Sequence, residues 1–119
     1  MEPVRMTVHT TPVTDVSSVE LEDTGPLAEA VDAPMATRAS VLWTDGSGIE
    51  AGVWSCTPGN SRWRLETHEF IYVVSGRMTV TRDGEAPVEA TAGSTVFFEK
   101  GWQGLWLIHE TITKSYVTF

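Results

Sequence analysis

The chain has 119 residues, 41% of them hydrophobic, and carries 16 acidic against 8 basic side chains for a formal net charge of -8. That length serves one domain around one core, and the acidic balance excludes a nucleic-acid partner, whose phosphates are met by clustered Lys and Arg. The single cysteine, Cys56, excludes an internal disulfide, and no run approaches the roughly 20 apolar residues of a membrane span or the order of a signal peptide, so a cytoplasmic protein with no membrane partner is expected.

Residues 1–34 read as an extended arm. Acidic side chains crowd it (Glu2, Asp15, Glu20, Glu22, Asp23, Glu29 and Asp32 against Arg5), and neither helical periodicity nor a long apolar run appears. Its strand-like stretch "MTVHTT" has no core of its own. A homodimer is therefore expected, the arm adding an edge strand to the partner's sheet.

Residues 35–119 read differently. Short β-rich runs follow one another: "SVLW", "AGVWSC", "RWRLE", "EFIYVV", "RMTVTR", "PVEAT", "STVFFE", "LWLIHE" and "TKSYVTF". Turn signals separate them at "TDGSG", "TPGN", Gly76, "RDGE", "TAG" and "KGWQG". Many short strands at near-regular spacing without a credible helix predict an all-β domain, a small antiparallel barrel or sandwich.

Two stretches carry a resemblance. "PGNSRWRLETHEFIYVVSG" is similar to the first cupin motif, with Glu69 and Gly76 at the motif's separation. "AGSTVFFEKGWQGLW" resembles the second, matching at Gly93 and Gly101, with Glu99 in the Pro position and Gly104 in the His position. Together with "GVWSCTPG" and "TKSY", the whole resembles the small single-domain cupins (RmlC-like jelly rolls, or double-stranded β-helices) related to ureidoglycine aminohydrolase domains. The resemblance implies a cupin barrel over about residues 40–119. It also implies chemistry on small nitrogenous or carboxylic metabolites.

The cupin metal site calls for two histidines, a Glu and a further His. Anchoring on Glu69 places the first two positions at Trp63 and Leu65, and anchoring on Gly59 places them at Leu65 and Thr67; neither supplies a ligand. His68 neighbours Glu69 and so points to the opposite face of a strand, His9 lies in the arm, and His109 lies beyond the second motif. Divalent metals want three or four converging N, O or S ligands. Only Glu69 is present, so no metal and no other cofactor is expected.

If Glu69 faces inward, alternation brings Trp63, Leu65, Thr67, Ile71 and Val73 to the same face, with Gly104, Trp106 and Ile108 from the second motif. The His-to-Gly change at Gly104 would vacate space for Trp106 or a ligand. Glu69 is the candidate catalytic residue, and the candidate binding residues are Trp54, Cys56, Trp63, Leu65, Glu69, Lys100, Trp102, Trp106 and Tyr116. Each has a plainer reading. The tryptophans serve as core filler, Cys56 as an inert buried thiol and Lys100 as a solvated side chain. Glu69 is either a structural anchor hydrogen-bonded to Lys114, Tyr116 or an indole, or a ligand contact. Two functions stay open: a metal-independent barrel that binds a small polar organic molecule, with or without acid-base turnover, and an accessory dimeric barrel whose pocket is filled by its own side chains.

Overall fold

The structure, a computed structural model, describes residues 15–119; the strand-like residues 6–11 lie outside this range. After a 3-10 turn at Val16–Ser18, capped by Asp15, the chain forms β1 (Glu22–Pro26), β2 (Ala36–Thr44), β3 (Glu50–Cys56), β4 (Gly59–Arg64), β5 (Glu69–Arg82), β6 (Val88–Thr91), β7 (Thr95–Phe98) and β8 (Gln103–Thr118). All pairings are antiparallel, in the order β1-β2-β3-β8-β5-β6, with β4 added to β8 and β7 to β5. The all-β barrel expected from the strand runs is the fold observed. Among the described residues no helix is long and apolar enough to cross a membrane.

Two long strands hold the barrel together. Along β8, residues 103–108 pair with β4 and residues 112–118 with β3; along β5, residues 69–72 pair with β7 and residues 77–80 with β6. Strands β5 and β8 also pair with each other over almost their whole lengths, so both run through the two halves of the barrel. Period-two alternation sets the inner face: Glu69, Ile71 and Val73 are buried while Phe70 and Tyr72 are exposed. The core between the halves contains Ile71, Met78, Phe98, Trp106, Ile108 and Ile112.

The structure corrects one sequence expectation here. "EFIYVV" and "RMTVTR" are not two strands separated by a turn at Gly76 but one continuous β5, and "LWLIHE" and "TKSYVTF" likewise join in β8. Register shifts between Val73 and Met78 let β5 bend without losing its partner, as β-bulges do. Gly76 sits in the bend at φ +90, and a Cβ there would lie 2.1 Å from the Thr111 carbonyl oxygen. The corner therefore needs glycine both for its backbone angle and for the close passage of the two strands.

The described part of the N-terminal segment is hydrogen-bonded to the barrel. Strand β1 pairs with β2, the Val31 N–H donates to the Asn60 carbonyl at 3.0 Å, and the Arg62 N–H donates to the Glu29 carbonyl at 3.0 Å.

The two demands on Gly76 can be separated. Gly76→Ala is expected to cost about 2–4 kcal/mol, combining left-handed strain with a main-chain collision. Gly84→Ala, at φ +80 with open space around it, is expected to cost only the strain, about 1–2 kcal/mol. Urea denaturation of the two variants measures the difference.

Candidate functional site

Glu69 opens β5 and Lys114 lies near the end of β8, cross-strand from Trp54 of β3 and Val73 of β5. From these positions the Lys114 Nζ donates to Glu69 Oε2 at 2.5 Å, with the two residues only 4% and 7% exposed. A charge so buried is costly unless paired and hydrogen-bonded. The ammonium also lies 4.6 Å from the Trp54 ring centroid and 4.5 Å from that of Trp106, where the negative faces of the indoles attract it.

Beside this pair a cleft of about 190 Å³ is lined by Glu50, Trp54, Trp63, Glu69, Lys114, Tyr116 and Thr118. Trp54 and Trp63 meet edge to face, their centroids 6.4 Å apart, and Trp63 stacks on buried Trp106 at 4.4 Å. The Trp63 indole is fixed by donating to Ser61 Oγ at 2.8 Å, and the Ser61 hydroxyl donates in turn to the Trp106 carbonyl at 3.1 Å. The Tyr116 hydroxyl donates to Glu50 Oε2 at 2.7 Å. Burial, this bond to Glu50 and the charges of Glu50 and Glu69 push the phenol well above its ordinary pKa, so it stays a protonated donor.

Of the candidates read from the sequence, Trp54, Trp63, Glu69 and Tyr116 line the cleft, and Trp106 lies behind them against Lys114 and Trp63. The others are elsewhere. Leu65 and Cys56 belong to the core; the Cys56 thiol faces the Thr57 carbonyl at 3.5 Å, and burial pushes its pKa to about 11 against the opposing charge of Lys114. Lys100 is exposed, with its main-chain N–H donating to His68 Nδ1 at 2.9 Å. Trp102 packs edge-on against Phe98 and lines a separate cavity with Arg82 and Glu85.

The space expected at Gly104 is taken. A Cβ there would lie 2.2 Å from the Thr81 carbonyl oxygen and 2.7 Å from the Trp102 ring, so neither Trp106 nor a ligand fills it. Glu50 and Thr118 line the cleft without being among the sequence candidates, and Lys114, expected as an anchor for Glu69, lines it too. Alternation along "EAGVW" was the available signal, since it puts Glu50 on the face of Trp54.

A cupin barrel raises the question of a metal. Among the described residues no three His, Cys, Asp or Glu side chains converge. His68 is occupied with Lys100, and His109 Nε2 lies 2.7 Å from Thr79 Oγ1, away from the cleft. Glu69 Oε2 is already engaged by Lys114 at 2.5 Å, which leaves a single carboxylate oxygen where a divalent ion calls for three or four converging ligands. The donor set does not fit a metal ion.

The bent, paired strands and the interior cleft define a small cupin barrel. The EutQ-like cupin domain family matches residues 44–116, and the chain belongs to it. Among solved structures it is similar to an ethanolamine utilization protein Q from Salmonella typhimurium, with 27% identity, TM-score 0.68, and coverage of 88% of this chain and 82% of that one. It is similar too to the EutQ protein of Clostridium difficile, with 22% identity, TM-score 0.63, and coverage of 77% and 76%. A DUF861-family protein of unknown function from Pseudomonas syringae aligns with 21% identity and TM-score 0.77, over 86% of this chain and 45% of that one. No curated protein matches the sequence. The finer likeness to ureidoglycine aminohydrolase domains rests on the two motifs together with "GVWSCTPG" and "TKSY", and none of these matches shows it.

Two outcomes test this geometry. Glu69→Gln leaves the Lys114 charge buried without its counter-charge and is expected to cost about 3–5 kcal/mol, whereas Glu69→Leu combined with Lys114→Met removes both charges and restores most of the loss; urea denaturation compares them. Native Cys56 is expected to resist alkylation at pH 8, to react faster as the pH climbs toward its pKa of about 11, and to react at once when the chain is unfolded.

Proposed function

We propose that this cupin barrel binds a small polar organic molecule in the cleft beside Lys114 and Glu69, without a metal ion. The observation that carries the reading is a concave, aromatic-walled space that ends on a buried ion pair. Ligand sites combine apolar walls with a few fixed polar groups in this way. Trp54, Trp63 and Tyr116 supply the walls, and Glu50, Glu69 and Lys114 supply the polar anchors. Membership of the EutQ-like family and the ethanolamine-utilization name of the Salmonella relative support metabolism of small molecules as the setting.

Any turnover here would be acid-base chemistry. Glu69 is the residue proposed to exchange a proton with a bound molecule, with Lys114 holding its carboxylate in place. The metabolite class implied by the motifs, small nitrogenous or carboxylic compounds, fits such a site.

A second reading, an accessory dimeric barrel, draws on another observation. The outer face of β7, β5 and β8 exposes Phe97, Phe70, Tyr72 and Val117, with Phe70 cross-strand from both Phe97 and Val117. An exposed apolar patch of this kind suits a second copy of the chain. The homodimer is proposed on that ground.

A thermal-shift screen of small amines, ureides and carboxylates, followed by tryptophan fluorescence, tests the first reading. A true ligand at a hundredfold excess over its dissociation constant is expected to add about 2.7 kcal/mol of stability. It should also change the emission of the indoles at the cleft. No hit across the panel, with a dimer by light scattering, would leave the accessory reading standing.

A further inference from the structure

Charge and hydrogen-bond capacity in the cleft are unequal, and the inequality selects a ligand class. Lys114 is neutralised by Glu69 at 2.5 Å. That leaves Glu50, whose Oε2 accepts from the neutral Tyr116 hydroxyl at 2.7 Å, so the lining carries one uncompensated negative charge. Among the described residues, Oε1 of Glu50 and Oε1 of Glu69 accept no hydrogen bond, and neither is among the fully buried unpartnered atoms, so both are open to the cleft. Unspent capacity at the carboxylates is for accepting and calls for a donor; the one unpartnered buried donor beside them, Trp106 Nε1, is sealed behind the walls and out of an entering molecule's reach.

The walls favour the same partner. The protein already seats an ammonium, that of Lys114, 4.6 Å from the Trp54 centroid and 4.5 Å from that of Trp106. Trp63 and Tyr116 extend this aromatic surface into the open part of the cleft. Indole and phenol faces attract a desolvated cation and repel an anion. A carboxylate ligand would have to draw Lys114 away from Glu69 while lying beside Glu50, at a cost in both interactions. The volume of about 190 Å³ suits a small ligand.

We propose that the ligand is a small organic cation, a primary ammonium or a similar N–H donor, held between the Glu50 and Glu69 carboxylates against the rings of Trp54, Trp63 and Tyr116. This rests on the reading of the cleft as the ligand site and adds the charge of what enters it.

The test is a matched series of one shape and three charges: n-propylammonium, propionamide and propionate. Each is titrated into the full chain at low salt, followed by calorimetry and tryptophan fluorescence. Propylammonium is expected to bind at least about tenfold more tightly than propionamide, with propionate weakest, because a charge-assisted hydrogen bond is roughly twice as strong as a neutral one. Glu50→Gln keeps an acceptor for Tyr116 and removes the charge. It should weaken propylammonium about tenfold or more and leave propionamide unchanged. Propionamide or propionate binding as tightly as propylammonium would overturn the charge assignment while leaving the cleft a ligand site. So would an unaltered propylammonium affinity in Glu50→Gln. Failure of all three compounds to bind the wild-type chain would sink the assignment together with the ligand-site reading. The wild-type series decides the matter whether or not the variant folds.

Discussion

A lysine ammonium and a glutamate carboxylate 2.5 Å apart in a nearly dry interior set conditions that the surrounding side chains must meet. Taking each ion out of water costs several kcal/mol, and mutual attraction offsets this only where geometry is good and the remaining polar atoms are accommodated. Lys114 has three N–H bonds and one carboxylate partner, so much of its ammonium faces aromatic carbon. Trp54 and Trp106 present their rings there, and each indole is held in turn: Trp106 by stacking on Trp63 and by contact with Phe98, Trp54 by the edges of both tryptophans. The aromatic cluster thus fills the core and solvates a charge at the same time. Replacing any of these rings with an aliphatic side chain of similar volume would preserve the first role and lose the second.

The strand architecture decides where this pair can form. Because β5 and β8 are antiparallel and bent, the start of β5 comes to lie beside the end of β8, and β3 completes that half of the sheet. Glu69, Lys114, Trp54 and Glu50 therefore converge from three strands. The other half supplies Trp63 through β4, which reaches the cleft across the interior, and Trp106 from the start of β8, which backs it. The bend at Gly76 makes the convergence possible: a straight β5 would carry Met78 and Val80 away from the core they share with Ile71. A fold-level constraint, one glycine at a crowded corner, and a site-level feature, one buried ion pair, are linked through the same two strands.

Much of this was legible in the residues. Alternation about Glu69 correctly placed Ile71 and Val73 inside, and the order of short β-rich runs and Gly-rich turns specified the class of fold. Lys114 was among the anchors considered for Glu69 because a carboxylate on an apolar strand demands a partner. Other features were hidden for identifiable reasons. Gly76 has the local signature of a turn, and only the pairing of β5 with β8 on both sides of it shows a bend within a strand. Gly104 suggested a vacancy because a missing side chain leaves room only if the backbone stays put, whereas here β5 and Trp102 close in. Lys100 and Trp102 belong to a loop whose direction sequence does not encode, and Cys56 follows the alternation of Trp54 yet packs into the core farther along β3. Glu50 directly follows the turn-rich "TDGSGI", so the β-rich run in the sequence begins at Ala51, one residue short of the strand that forms.

The position of Glu50 also bears on how a barrel of this kind can discriminate between ligands. A metal-centred site offers an exchangeable positive charge and so favours anions and electron-rich groups that can coordinate it. Here the positive charge is tethered to β8 and already engaged by Glu69. A visiting molecule meets the outward-facing remainder: the free oxygen of Glu69, the carboxylate of Glu50 and the faces of the aromatic walls. The outer surroundings act in the same sense, because the chain's formal charge of -8 biases the potential at the cleft mouth toward cations. An internal ammonium therefore does more than balance Glu69. On the proposal made above, it occupies the place where an anion would have to bind and leaves Glu50 and the free oxygen of Glu69 as the polar groups a ligand meets, the opposite of what a metal-bearing barrel of the same shape presents.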